Sequence, residues 1–415
     1  MSKLTSIKIE EIKTKAKNKD IYLDNEFLAL NKYIEINDDD INRLKKWNID
    51  KVYIEDGDTQ IENKTNADFG KFLRDYKVFK KIYFNLIKKV RNCLGGYRHN
   101  NLVNIKELNE IIDESLDIIN RNLNSVIQLF NIVNLPKADE YYIRSLNVSM
   151  ISMIIGLSIK LSEDRVKKLG IGAMLYDIGL VKIPDSILSK VIEKFSLEEY
   201  TEIKKHTVYG YKIIKDSFRL EEDIATISLT HHEFVNGKGY PRGITGDKIH
   251  LYAKIVAISH SIEKTMKSRR IELTNKKSDG NKSIFNLMLE KSSSNKKKDV
   301  YLSDAIKEIQ NNVNIKYDPV IVKAFIGVFT IYPIGTIVLL NDNRKALVFA
   351  TNSKFNIRPI IKIVSNEEGN FIENGEVINL TENNKLFIKN ADKNYDFFEE
   401  VQNKIFPIED NNAKK

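Results

Sequence analysis

The sequence of 415 residues predicts a mainly α-helical protein with a small α+β module at its N-terminus and a small β-rich module at its C-terminus. Long stretches between residues 71 and 134 predict amphipathic helices, because their apolar residues recur at the helical period. Further helical stretches between residues 139 and 266 are separated by Gly, Pro and Asn. After Pro333 the pattern changes to short β-branched runs separated by turn residues, which is typical of strands.

These patterns predict four consecutive regions. The N-terminal module is expected over residues 1–65, where a helix that begins at an Asn/Asp cluster lies between two strand-like segments. A helical connector is expected over 66–134, the main helical domain over 135–333, and the β-rich module with its tail over 334–415. The uncharged run Ser145–Ile159 is too short to cross a membrane and predicts a buried core helix.

The net charge of +9 invites comparison with nucleic-acid-binding proteins, but its distribution argues against that class. Residues 267–299 hold ten Lys/Arg and four Asp/Glu, together with many Ser and Asn. We interpret this segment as a flexible, solvated insertion in the main domain. A basic loop that attracts a phosphate ligand or an acidic partner is the alternative.

The sequence predicts a cytoplasmic protein without a membrane span. No stretch is long and apolar enough to cross a bilayer, and the N-terminus lacks the apolar core of a signal peptide. The single cysteine, Cys93, excludes an internal disulfide framework and fits a reducing compartment.

One carboxylate and three imidazoles have the chemistry of a metal site: Asp177, His206, His231 and His232. This combination suits iron, manganese, nickel or zinc better than magnesium or calcium. Helices of a bundle can bring such distant residues together. The gaps of 29 and 25 residues between Asp177, His206 and His231 do not by themselves distinguish ligands from ordinary core or surface histidines.

Three segments resemble the successive signatures of the HD-GYP family of cyclic di-GMP phosphodiesterases: "GAMLYDIGLVKIPDSIL", "EIKKHTVYGYKII" and "HHEFVNGKGYPRGITGDKI". The tripeptide Gly239-Tyr240-Pro241 is the most specific match, and the resemblance extends over residues 139–333. It implies an all-helical HD-type domain whose metal ions bind one phosphodiester of cyclic di-GMP and activate a hydroxide to attack it.

Roles for individual residues follow from the matches to the family pattern and, for Arg144, Lys182 and His260, from the departures from it. Asp177 and Arg144 are the expected catalytic residues, and the metal is expected to be iron or manganese. The expected metal ligands are Asp177, His206, His231, His232 and His260, and the expected substrate contacts are Lys182, Tyr240, Pro241 and Arg242.

The sequence departs from the family pattern at the first of the family's metal positions. Tyr176 replaces the histidine of the His-Asp pair, Arg144 or Ser145 replaces an earlier histidine, and His260 replaces a later aspartate. Leu180 replaces the usual lysine, although Lys182 follows it. We expect the Arg144 guanidinium to replace part of the missing positive charge. Pairing of Arg144 with Glu140 on the helix surface is the alternative.

Two functions remain open at this stage. The first is metal-dependent hydrolysis of cyclic di-GMP in second-messenger signalling, with a signalling protein as a further partner. The second is a catalytically degenerate receptor for cyclic di-GMP or a protein-interaction module. The altered first metal position favours the second function, whereas the complete second ligand set and the Gly-Tyr-Pro loop favour the first.

Overall fold

The computed structural model confirms the mainly helical fold with a small antiparallel sheet in each terminal region. The chain divides into two compact units, Met1–Tyr76 with Phe329–Lys415, and Lys77–Val328. The residues that the structure describes are 3–16, 21–22, 28–30, 38–46, 49–56, 69–100, 103–130, 139–188, 190, 195–275, 302–352, 357–373, 375–383 and 385–391.

The N-terminal module is a four-stranded antiparallel sheet with short helices. Its strand order is β1-β4-β2-β3, and β1 pairs with β4 along its whole length. Alternating apolar residues of these two strands, including Ile7, Val52 and Ile54, are buried. The elements are β1 Lys3–Lys8, α1 Ile12–Lys15, β2 Ile21–Tyr22, β3 Leu28–Leu30, α2 Asp38–Lys46 and β4 Lys51–Asp56.

The C-terminal module is a five-stranded antiparallel sheet of order β8-β7-β6-β5-β9. Its core is formed by inward-facing residues such as Val338, Val348 and Ile361. Alternation along each strand places these residues on one face of the sheet. The strands are β5 Ile337–Leu340, β6 Lys345–Ala350, β7 Ile360–Ile363, β8 Val377–Asn379 and β9 Ile388–Ala391.

The region between the two sheets is helical. The helices are α3 Phe69–Asn100, α4 Ile105–Arg121, α5 Leu123–Leu129, α6 Glu140–Ser158, α7 Glu163–Leu175, α8 Asp185–Leu188, α9 Leu197–Lys204, α10 His206–Lys212, α11 Glu222–Thr230, α12 Leu251–Asn275, α13 Leu302–Asn311 and α14 Pro319–Val328. A 3-10 segment, Ile178–Lys182, follows α7, and a π-helical turn, Ile213–Ser217, follows α10.

Helix α6 lies at the centre of the second unit and is buried over most of its length, as its uncharged sequence predicted. Some of its polar side chains are paired across the core. Asn147 donates a hydrogen bond to Glu263 of α12 at 3.0 Å, and Ser149 donates one to the carbonyl of Gly170 in α7 at 2.8 Å. Buried polar groups that are paired in this way fix the register of neighbouring helices.

Helix α12 continues to Asn275 and therefore enters the segment that the sequence predicted to be a flexible insertion from Lys267. Residues 276–299 of that segment lie outside the described residues. The domain boundaries near residues 65, 134 and 333 remain predictions. In the described part of the chain, none of the helices combines the length and the apolarity needed to span a bilayer.

Candidate metal centre

Four of the predicted ligands meet in one place. Asp177, His206, His231 and His232 each offer a ligand atom, and these atoms all lie within 4.8 Å of one another. Asp177 follows α7, His206 begins α10, and the two adjacent histidines follow α11. The ends of three helices therefore supply these four residues, the ligand group, and the chain turns away from α11 at the histidine pair.

Backbone contacts orient two of the imidazoles. His206 Nδ1 lies 2.6 Å from the carbonyl oxygen of Ile203, and His231 Nδ1 lies 2.9 Å from that of Ser228. Since a carbonyl oxygen only accepts, Nδ1 carries the proton in each ring, and Nε2 presents a lone pair. This arrangement is the usual way in which a protein fixes the tautomer of a metal-binding histidine.

The lone pairs converge on a carboxylate oxygen. Asp177 Oδ1 lies 3.3 Å from His206 Nε2 and 3.5 Å from His231 Nε2, and the two nitrogens are 3.5 Å apart. Three acceptors at this spacing repel one another unless a cation lies between them. Ligand atoms that bind one transition metal at about 2.0–2.2 Å are separated by similar distances. The residues therefore fit a single divalent transition metal.

The ionisation of the group also suits a metal. Burial lowers the pKa of His231 and holds that of His232 well below its usual range, so both rings are neutral. Burial opposes ionisation of Asp177, but the adjacent Arg144 guanidinium and the contacts with His206 and His231 together outweigh it and hold the pKa of this carboxyl well below its usual range. An ionised carboxylate and neutral imidazoles are the forms that bind metals.

Arg144 forms a buried ion pair with the remaining oxygen of Asp177. Its Nη2 donates to Asp177 Oδ2 at 2.7 Å, and both side chains are almost completely buried. The Arg144 guanidinium also lies 6.0 Å from the centre of the Tyr176 ring. Arg144 and Glu140 are both buried, so a pair between them would not lie on the helix surface as the alternative supposed.

Close approaches between backbones bring Asp177 to the histidines. A Cβ atom on Gly179 would lie 1.9 Å from the carbonyl oxygen of His206 and 2.4 Å from the nitrogen of Gly210. A Cβ on Gly210 would lie 2.1 Å from the Ser228 hydroxyl. That hydroxyl donates to the carbonyl of Tyr176 at 2.8 Å. Glycines therefore allow the 3-10 segment, α10 and α11 to pack closely enough to assemble the group.

Gly179→Ala tests this packing. We expect it to lower the free energy of unfolding by about 1–3 kcal/mol and to weaken metal binding, because the added methyl group must displace α10. Denaturant unfolding and metal titration are the measurements. Gly246→Ala is the matched control, since its Cβ would approach other atoms no closer than 3.3 Å. Equal stability and metal affinity in the two variants would contradict the packing role.

The Gly-Tyr-Pro loop is held beside the group. The buried carboxylate of Glu233 accepts hydrogen bonds from the backbone nitrogens of Arg242 at 2.7 Å and Ile244 at 3.2 Å. The Tyr240 ring stacks on the His232 ring, with centroids 4.5 Å apart and an interplanar angle of 21°. The loop therefore places an aromatic ring directly against the outermost ligand.

Two families match this chain. Residues 109–281 match the HD domain family, and residues 337–400 match a KOW domain associated with HD domains. The first match contains all four ligands and the Gly-Tyr-Pro loop. Residues 109–281 form an HD domain of the HD-GYP type.

Relatives with curated names cover different shares of the chain. The chain is 25% identical to "Cyclic di-GMP phosphodiesterase PA4108" of Pseudomonas aeruginosa over 61% of its length and spans only 54% of that relative. It is 25% identical to "Cyclic di-GMP phosphodiesterase PdeB" of Borreliella burgdorferi over 91% of its length and 90% of the relative. It is 38% identical to "3'3'-cGAMP-specific phosphodiesterase 2" of Vibrio cholerae over 24% of its length and 19% of the relative.

The other residues that were predicted to belong to the site differ in burial and in distance from the ligand group. His260 is beside the group, with its ring centre 5.3 Å from that of His232, but it does not belong to the set of four. Tyr176 is buried, and its ring lies between those of His231 and His260, at 5.1 and 5.4 Å. Lys182 is exposed and, within the described chain, forms no hydrogen bond or ion pair.

Pro241 and Arg242 are exposed on the loop, where the Arg242 side chain is accessible to a ligand. The roles of both residues, and those of Lys182 and His260, remain predictions.

Two kinds of residue near the site were not predicted from the sequence. Glu233 supports the loop, and its position directly after the histidine pair was the available signal. Tyr200 and Lys204 lie on α9 beside Tyr240. Their signal was the spacing of Leu197, Tyr200 and Lys204, which places all three on one face of a helix.

Proposed function

We propose that this chain is a metal-dependent phosphodiesterase that hydrolyses cyclic di-GMP in cytoplasmic second-messenger signalling. The observation that carries the proposal is the convergence of Asp177 Oδ1, His206 Nε2 and His231 Nε2 within 3.5 Å of one another. The names of the relatives PA4108 and PdeB support the substrate. Iron and manganese are the proposed metals because both bind mixed imidazole and carboxylate ligands.

Each ligand residue has a defined task in this proposal. Asp177, His206, His231 and His232 would hold the ion, and backbone carbonyls keep the imidazoles of His206 and His231 in the required tautomer. A divalent metal bound there would supply Lewis acidity at the phosphodiester and lower the pKa of a water molecule. Asp177, His206 and His231 are buried, and burial strengthens electrostatic interactions with the phosphate.

Arg144 would supply the positive charge at the altered first metal position. Its guanidinium is always protonated, and the buried ion pair with Asp177 fixes it 2.7 Å from the ligand carboxylate. A fixed charge stabilises negative charge that develops on the phosphate without having to reorganise during the reaction. Unlike a metal, Arg144 cannot lower the pKa of a coordinated water, so that task falls to the single ion.

Metal analysis combined with a hydrolysis assay tests the function. We expect about one tightly bound transition metal per chain, because the structure assembles one complete ligand set. The protein loaded anaerobically with Fe(II) or Mn(II) should convert cyclic di-GMP to the linear dinucleotide or GMP, and chelation should stop the reaction. Cyclic GMP-AMP is the comparison substrate. Binding of cyclic di-GMP without hydrolysis under all loading conditions would establish the receptor instead.

A further inference from the structure

Helix α9 carries a cation between two aromatic rings beside the metal centre. The Lys204 Nζ lies 4.4 Å from the centre of the Tyr200 ring and 5.3 Å from that of the Tyr240 ring. Tyr240 in turn stacks on His232 of the ligand group. A continuous row, Tyr200, Lys204, Tyr240 and His232, therefore runs from the protein surface to the metal ligands.

The charge of Lys204 is not neutralised by the acidic residues around it. Glu199 pairs with Lys190, and Glu202 pairs with Lys205 at 2.5 Å and accepts a hydrogen bond from Tyr209. Among the described residues, no carboxylate lies within ion-pair distance of Lys204, whose observed partners are the two rings. This lysine is therefore positioned by aromatic contacts and remains able to bind an anion.

The same face of α9 exposes apolar surface. Leu197 is 77% exposed and Tyr200 is 43% exposed, although both are large hydrophobic residues. A neighbouring side of the helix is anchored, because Ile203 packs against the small apolar cluster of Ile183, Ile187 and Leu188. The exposed face is therefore held rigidly next to the Gly-Tyr-Pro loop and is not a poorly packed end of the chain.

We propose that Tyr200 and Lys204 form a subsite for the part of a cyclic dinucleotide that is distant from the metal. This inference rests on the proposed function and extends it. With one phosphodiester at the ligand group, the Tyr200 ring stacks on a purine base and the Lys204 ammonium contacts the second phosphodiester. An exposed aromatic ring beside an unneutralised cation matches the flat apolar face of a base and the charge of its phosphate. Because Lys204 lies between Tyr200 and Tyr240, one ligand can contact both Tyr200 on α9 and the Gly-Tyr-Pro loop.

Stopped-flow fluorescence tests the subsite before turnover occurs. The full chain, loaded with Mn(II), is mixed with a cyclic dinucleotide that carries 2-aminopurine, whose fluorescence is quenched when the base stacks. We expect Tyr200→Ala to weaken binding roughly tenfold or more and to remove most of the quenching. Tyr200→Phe keeps the stacking ring and should restore both. Lys204→Gln should weaken binding roughly tenfold at low salt and reduce its salt dependence.

Lys205→Gln is the matched control, since Lys205 is adjacent in sequence but exposed and paired with Glu202. It should leave affinity and quenching unchanged, and all variants should retain the wild-type metal content. Wild-type quenching and affinity in Tyr200→Ala would overturn the subsite while leaving the proposed function intact. Failure of the wild-type protein to bind any cyclic dinucleotide would overturn the proposed function and, with it, the subsite.

Discussion

Replacing His231 with alanine is expected to remove the metal and to reduce hydrolysis to background. His231 Nε2 lies within 3.5 Å of both Asp177 and His206, and its Nδ1 is committed to the carbonyl of Ser228, so its lone pair has no other role than ligation. Removal of a residue that merely orients a ligand costs about 10–100-fold in metal affinity, and loss of the ligand itself should exceed this. Metal content by mass spectrometry and the rate of cyclic di-GMP cleavage are the measurements.

His250→Ala is the matched control for this experiment. His250 precedes α12, is half-buried, and lies 3.6 Å from Asp223 rather than near the ligand group. We expect full metal content and activity in this variant. Circular dichroism should show that His231→Ala still folds. A folded His231→Ala protein that retains its metal and its activity would rule out the proposed centre.

Arg144→Ala is expected to lower kcat by about 100-fold while one metal per chain stays bound. Removal of one preorganised donor that stabilises developing negative charge typically costs a factor of this size. The metal should remain, because the four ligands that meet at Asp177 do not include Arg144. The measurements are kcat for cyclic di-GMP and metal content of the same preparation. Arg165→Ala is the control, since Arg165 on α7 contacts Tyr252 instead of the centre.

Unchanged hydrolysis in Arg144→Ala would limit Arg144 to a structural ion pair. A second measurement separates charge replacement from simple support of Asp177. The double substitution Arg144→His with Tyr176→His restores the family pattern at both positions, which lie against each other. We expect it to bind a second metal ion and to exceed the kcat of Arg144→Ala. A stoichiometry that stays at one metal would contradict the view that Arg144 occupies a former metal position.

The class of the fold and the candidate ligand group were predictable from the sequence. Helical periodicity depends on residues three and four apart, so it predicted the helices, including the buried helix α6. The segments around Asp177, His206 and His231 resemble short family signatures, and this resemblance predicted candidate ligands, which the structure brings within 4.8 Å of one another. The change to β-branched runs after Pro333 predicted the C-terminal sheet.

Contacts between residues distant in sequence were not predictable from the sequence and became known from the three-dimensional structure. Arg144 and Asp177 are 33 positions apart, and the burial of α6 places their ion pair inside the protein instead of on a helix surface. The support that Glu233 gives to the loop and the row from Tyr200 to His232 likewise depend on how separate elements approach one another. Such approaches are set by packing, where a glycine such as Gly179 permits a backbone contact that any side chain would block. Sequence periodicity describes each helix alone, so it cannot specify which side chains meet between helices.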